Sequence, residues 1–132
     1  MAVNLRRWGV FNLVGFGGFL LQIGAIALLT RGLGWSTALA TVAALEVAAL
    51  HNFFGHSHFT WGDSRASTLK QWMKRFGRYQ VAKTLSLGAN LAITLALVRA
   101  GVPVEIANTL AVLACSLPNY LLAERLVFHH TL

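Results

Sequence analysis

Charge is what this sequence has least of. Of its 132 residues, 11 are Lys or Arg and only 4 are Asp or Glu, so charged residues make up 11%, against roughly 25% in ordinary soluble domains. The few charges are also segregated. None lies between Arg7 and Arg31, and Glu46 alone lies between Arg31 and Asp63. None falls between Lys83 and Arg99, or between Glu105 and Glu124. A bilayer core is crossed by about 20 mostly apolar helical residues. Four windows fit, at about 9–30, 35–55, 77–98 and 104–123. A soluble bundle of buried helices is excluded, because its helices would need charged outer faces. The chain reads as one all-α membrane domain with four transmembrane helices.

Other absences narrow the function. The lone cysteine, Cys115, excludes an intramolecular disulfide and reads as packing in the fourth window. No nucleophile–base constellation, phosphate loop or cofactor motif is present. The expectation is therefore no enzyme, no cofactor and no metal. His51, His56 and His58 lack the four-residue His pair with an intervening Glu that binds zinc on a helix. They read as interfacial packing and headgroup contact. His129 and His130 read as surface residues or an appended remnant. The first apolar run follows Arg6 and Arg7, as a signal peptide would. It is longer than a signal core and has no small-residue cleavage pattern before Arg31, so it reads as a mature span.

The basic residues set the topology. Arg6, Arg7, Arg65, Lys70, Lys74, Arg75, Arg78, Lys83 and Arg125 belong to the chain ends and the central loop, and only Arg31 and Arg99 to the short connections. This bias predicts cytoplasmic termini and a cytoplasmic central loop. Topology and anionic headgroups account for the net charge of +7 without nucleic acid. In the central loop, Asp63 or Ser64 is expected to cap a short amphipathic helix. Leu69, Trp72, Met73 and Phe76 share one face, with Lys70, Lys74, Arg75 and Arg78 mostly off it. Such a helix lies in the membrane interface as an anchor and a basic shelf for phosphate headgroups.

The chain also repeats itself. Arg7-Trp8-Gly9 aligns with Arg75-Phe76-Gly77, Gln22 with Asn90, and Arg31 with Arg99; after a one-residue shift, Asn52 aligns with Asn119. Two parallel helical-hairpin repeats are expected, about 7–61 and 75–128, related by an axis along the membrane normal. A transporter and a duplicated structural hairpin both fit this pattern.

Polar residues within the spans are the candidate site. Lys83, Ser86, Asn90 and Thr94 share one helix face. The matching face of the first span carries Gly15, Gly18 and Gln22, where small residues permit close approach. Ser36, Ala40, Ala44 and Ala48 recur every four residues and read as a packing seam. Glu46 is the one carboxylate in the membrane interior, either a protonatable coupling group or a structural partner for Lys83. Lys83 is left open between snorkelling, pairing and anion binding. Asn52 and Asn119 are expected to satisfy backbone groups where the second and fourth spans end, helped in the fourth by Pro118. Phe53 and Tyr120 should then sit near the interface, with Trp61 and Phe128 at headgroup level. His56, His58 and Arg125 would face phosphate.

The stretches RRWGVFNLVGFGGFLLQ, HNFFGHSHFTW, RFGRYQVAKTLSLGANLAITLAL and PNYLLAERLVF resemble the GtrA-like family of four-span membrane proteins. The resemblance covers nearly the whole chain through diffuse motifs. It departs at His56 and His58, where Arg or Lys is expected. It implies translocation of a polyprenyl-phosphate-linked sugar across the cytoplasmic membrane for cell-surface polysaccharide or lipopolysaccharide glycosylation. A membrane glycosyltransferase is the implied partner. The substrate-binding set is then Gln22, Glu46, Asn52, Lys83, Asn90, Asn119 and Arg125, and a homodimer would enlarge the small volume that four spans enclose. A small proton-coupled exporter and a non-transporting scaffold for a glycosyltransferase are the alternatives.

Overall fold

The computed structural model describes residues 3–128; His129 and His130 lie outside them. Among the described residues there are only helices, π-turns and short connections. α1 is Leu5–Ala27 and runs on as a π-turn, Leu28–Gly32. α2 is Thr37–Gly55 and ends in a second π-turn, His56–Thr60. α3 is Leu69–Arg99, and α4 is Val104–Ala123 with a third π-turn, Glu124–Phe128. All four are long and apolar enough to cross a membrane, within a residue or so of the charge-free windows at most inner ends and several residues longer at the charged ends.

Local chemistry sets the helix ends. Asn4 caps α1 by accepting from the Arg7 N–H at 3.1 Å, and Ser36 caps α2 by accepting from the Leu39 N–H. The two short connections turn on Gly34 and Gly101, with φ of +68° and +94°, a region that disfavours residues carrying a Cβ. Within the spans, hydroxyls donate one turn back instead of facing lipid unsatisfied. Thr30 bonds to the Ile26 carbonyl, Thr41 to Thr37, Thr84 to Gln80 and Thr109 to Glu105, at 2.7–2.9 Å.

The central loop differs from expectation. No separate amphipathic helix forms, and neither Asp63 nor Ser64 is the cap. Thr68 is the cap: its Oγ1 accepts from the Gln71 N–H at 3.3 Å, while Gln71 Oε1 accepts from the Ser67 N–H at 2.9 Å. This Thr-x-x-Gln arrangement starts a helix that meets no proline before Arg99, so the amphipathic stretch is the first two turns of α3.

The described residues form two compact units that divide after Arg65. In the first, α1 packs on α2 and on the π-turn that follows it. In the second, α3 packs on α4 and on its terminal π-turn. Each interface is a seam of small residues. Ala40, Ala44 and Ala48 are buried in the first, as the sequence spacing predicted, while Ser36 of the same stripe is exposed as the α2 cap, and Ala107, Ala111 and Cys115 are buried in the second. Without a hydrophobic force between helices in lipid, close backbone approach and dispersion hold such pairs. The outer faces are largely apolar, with Leu13, Phe16, Phe19 and Ile23 exposed on α1, although Asn12 and Glu46 are exposed as well.

Candidate functional site

The π-turn that ends α2 carries a buried aromatic cluster. His56 is 3% exposed and stacks on Phe11 of α1, with ring centroids 4.6 Å apart and planes at 14°. Trp61 meets both rings edge-on, at 6.0 and 5.7 Å. His56 Nδ1 is paired with Thr60 Oγ1 at 3.1 Å, and the Ser57 hydroxyl donates to the Phe53 carbonyl. A π-turn has one extra residue per turn, and such bulges cluster at functional sites. Here it swings His56 inward and leaves His58 exposed, with its Nδ1 2.9 Å from the Phe54 carbonyl. The expectation of headgroup contact therefore fails for His56, which packing encloses.

Phe53, Trp61, Tyr120 and Phe128 are all at most 2% exposed. Each is core within its own unit. Sequence reasoning also placed Arg75 on a solvated basic shelf. It is 1% exposed, with its guanidinium 5.3 Å from the Phe128 ring centroid. A cation over a ring face is attracted by the ring quadrupole, most strongly when both are desolvated.

The polar residues of the spans separate by unit. In the first, Asn52 is half-buried on α2 and its carboxamide lies directly over Gly18 of α1. Gly18 has no Cβ, and one there would overlap the Asn52 side chain. Asn52 Oδ1 is buried without a hydrogen-bond partner, so the expected bond to backbone at the helix end is not made. Gly15, expected on the same close-approach face, has open space beside it. Gln22 is half-buried, and Glu46 is exposed on α2. In the second unit, Lys83, Ser86 and Asn90 are half-buried along α3, and Thr94 is buried with its Oγ1 unpartnered. Asn119 is half-buried in α4 after exposed Pro118, and Arg125 is exposed in the terminal π-turn. Among the described residues, no three His, Cys, Asp or Glu side chains converge as a metal site would need.

One feature escaped the sequence reading. A cavity of about 300 Å³ opens where α1 begins and the chain leaves α2. Arg6 and Arg7 line it, and Arg7 pairs with Asp63 at 2.9 Å. The signal was the Arg6-Arg7 pair itself, read as a topology marker and not as one wall of a cavity.

Compared with known families, residues 10–130 match the GtrA/DPMS transmembrane domain, nearly the whole chain. No curated protein matches it. The chain belongs to the GtrA/DPMS transmembrane family, and with its four spans it is a multi-pass membrane protein concerned with lipid-linked sugars.

Proposed function

From membership of that family we propose that the protein moves a polyprenyl-phosphate-linked sugar across the cytoplasmic membrane for surface polysaccharide or lipopolysaccharide glycosylation. The family match over residues 10–130 is the observation that carries this reading. The chemistry supports it. Such a substrate has an anionic phosphate, a polar sugar and a long apolar tail. Cations flank the spans at Arg6, Arg7, Lys70, Lys74, Arg78 and Arg125 and suit the phosphate. Half-buried Lys83, Ser86 and Asn90 offer α3 polar contacts for the sugar, and the apolar outer faces suit a tail left in lipid. The termini and central loop face the cytoplasm in this reading. A membrane glycosyltransferase supplies or uses the lipid-linked sugar, and two copies of the chain assemble around it.

Reconstitution in liposomes with a lipid-linked sugar, scoring its leaflet over time, tests the activity. Sugar that stays in its starting leaflet at the protein-free rate overturns it. Cysteine placed at Ser67 tests the topology: it should resist membrane-impermeant reagents in intact cells, and ready labelling from outside reverses the orientation. Exposure of Glu46 on α2 favours a second reading, a proton-coupled exporter. Glu46→Gln should abolish pH-dependent export in that case and leave sugar transport with its wild-type pH profile in the first.

A further inference from the structure

The cavity of the first unit has the chemistry of an anion site. Arg6, Arg7 and Asn4 line it from the first turn of α1, and Phe59, Thr60 and Asp63 from the exit of α2. Arg6 is exposed and makes no ion pair among the described residues. Arg7 shares its Nη2 with Asp63 Oδ2. Arg65 lies alongside, with its Nε donating to the Gly62 carbonyl at 3.2 Å. Two guanidinium groups and one carboxylate thus line the cavity, with a third guanidinium bonded to its wall at Gly62. Guanidinium forks match phosphate oxygens in charge and geometry, two N–H donors to two oxygens. The first-turn N–H of Arg7 is already taken by Asn4 Oδ1, so attraction comes from the side chains. A cavity of about 300 Å³ is at the small end for ligand pockets, suited to one headgroup and not to a whole glycolipid.

The second unit does not repeat this arrangement at the aligned arginine. Arg75, aligned with Arg7, is buried against Phe128, and α3 begins two turns before it. We propose that each chain carries one monophosphate site, in the Arg6–Arg7 cavity, that holds the phosphate of a membrane lipid, with Asp63 competing for Arg7 when the site is empty. This rests on the proposed function for the identity of the natural lipid, but not for the site.

The test uses the full chain in nanodiscs of zwitterionic lipid, titrated with an isoprenyl monophosphate and counted by native mass spectrometry. One lipid phosphate per chain is expected. Arg6→Gln should weaken it about tenfold, since one charge-assisted contact contributes roughly that much. Arg99→Gln, at an exposed second-unit cation in the short connection, should change it less than twofold. Asp63→Asn should tighten it several-fold by releasing Arg7, an effect that a merely structural ion pair would not give. Retention against millimolar inorganic phosphate identifies a lipid headgroup; displacement by phosphate alone at matching concentrations identifies the free ion as ligand and overturns the lipid assignment. Equal losses in Arg6→Gln and Arg99→Gln would reduce the site to general surface charge and overturn it. Saturable binding with no leaflet exchange would sink the proposed transport and leave the site standing.

Discussion

The two units use the same elements to opposite ends. Each has a long helix, a turn on a left-handed glycine, a second helix with a small-residue seam, and a π-turn at its exit. At that exit, the first unit keeps its arginine at the surface. Arg7 is 26% exposed and paired with an Asp63 that is 67% exposed, beside a cavity. The second unit buries its arginine under Phe128. The cause is where the helices start. α1 begins at Leu5, so Arg7 sits in its first turn, whereas the Thr68 cap starts α3 a full turn earlier relative to Arg75. The first unit thus holds its arginine in a partly exposed ion pair, and the second holds its arginine in the core.

The largest effect should come from breaking that contrast. Arg75→Ala removes a fully buried side chain together with its contact to an aromatic ring. A loss of about 2–4 kcal/mol in unfolding free energy is expected. Arg7→Ala removes an exposed ion pair and should cost less than about 1 kcal/mol. Unfolding of the two variants in the same detergent compares them directly. Equal losses would mean that burial of Arg75 contributes nothing and that the two exits are energetically alike.

The spans were legible because charge is excluded from lipid: charge-free windows mark their ends closely at the short connections, and at the other ends the helices run on past the charges. The seam Ala40–Ala44–Ala48 was legible because small residues at four-residue steps have few other uses in a membrane helix. The exits were not. In α1 and α4 the lipid face and the protein face are equally apolar, so periodicity could not single out Phe11 as the residue that stacks on His56. Arg75 was misplaced because its position off the apolar face of Leu69, Trp72, Met73 and Phe76 was read as solvated, whereas that side of the helix packs on Phe128. Thr68 and Gln71, at capping-box spacing, held the register and went unread. Of the candidate site, the polar residues were identifiable by type, but which of them are buried depends on rotation about each helix axis, which composition does not fix.

A smaller effect should follow at the α1–α2 seam. Gly18→Ala drives a methyl into the Asn52 carboxamide. Overpacking of this kind costs about 1–3 kcal/mol. Gly15→Ala, with open space beside it, should be neutral or stabilising by about 0.5–1 kcal/mol, because alanine is the better helix former. The second unit has Ser86 at the position matching Gly18, so it already tolerates a Cβ there. If Gly18→Ala folds as well as Gly15→Ala, the close approach is not a constraint, and the units are more alike than their packing indicates. If it is destabilised, Asn52→Ala in the same chain should restore most of the loss, since the two changes share one contact.

The smallest effect on stability should come from Asn52→Ala alone, although its effect on transport should be large. Asn52 Oδ1 is buried and unbonded, and an unmet buried acceptor costs about 1–3 kcal/mol. Truncation removes that penalty along with the packing of the carboxamide over Gly18. The two changes oppose each other, so the net should stay within about 1 kcal/mol, in the range of ordinary surface substitutions. Under the proposed function, this acceptor in the seam between α1 and α2 is a candidate partner for a hydroxyl of the transported sugar. Leaflet exchange of the lipid-linked sugar by Asn52→Ala should therefore fall several-fold at unchanged folded yield. Lost yield with normal exchange per folded molecule would make Asn52 a packing residue only. Asn119→Ala measured alongside would show whether the second unit keeps the same division between stability and use.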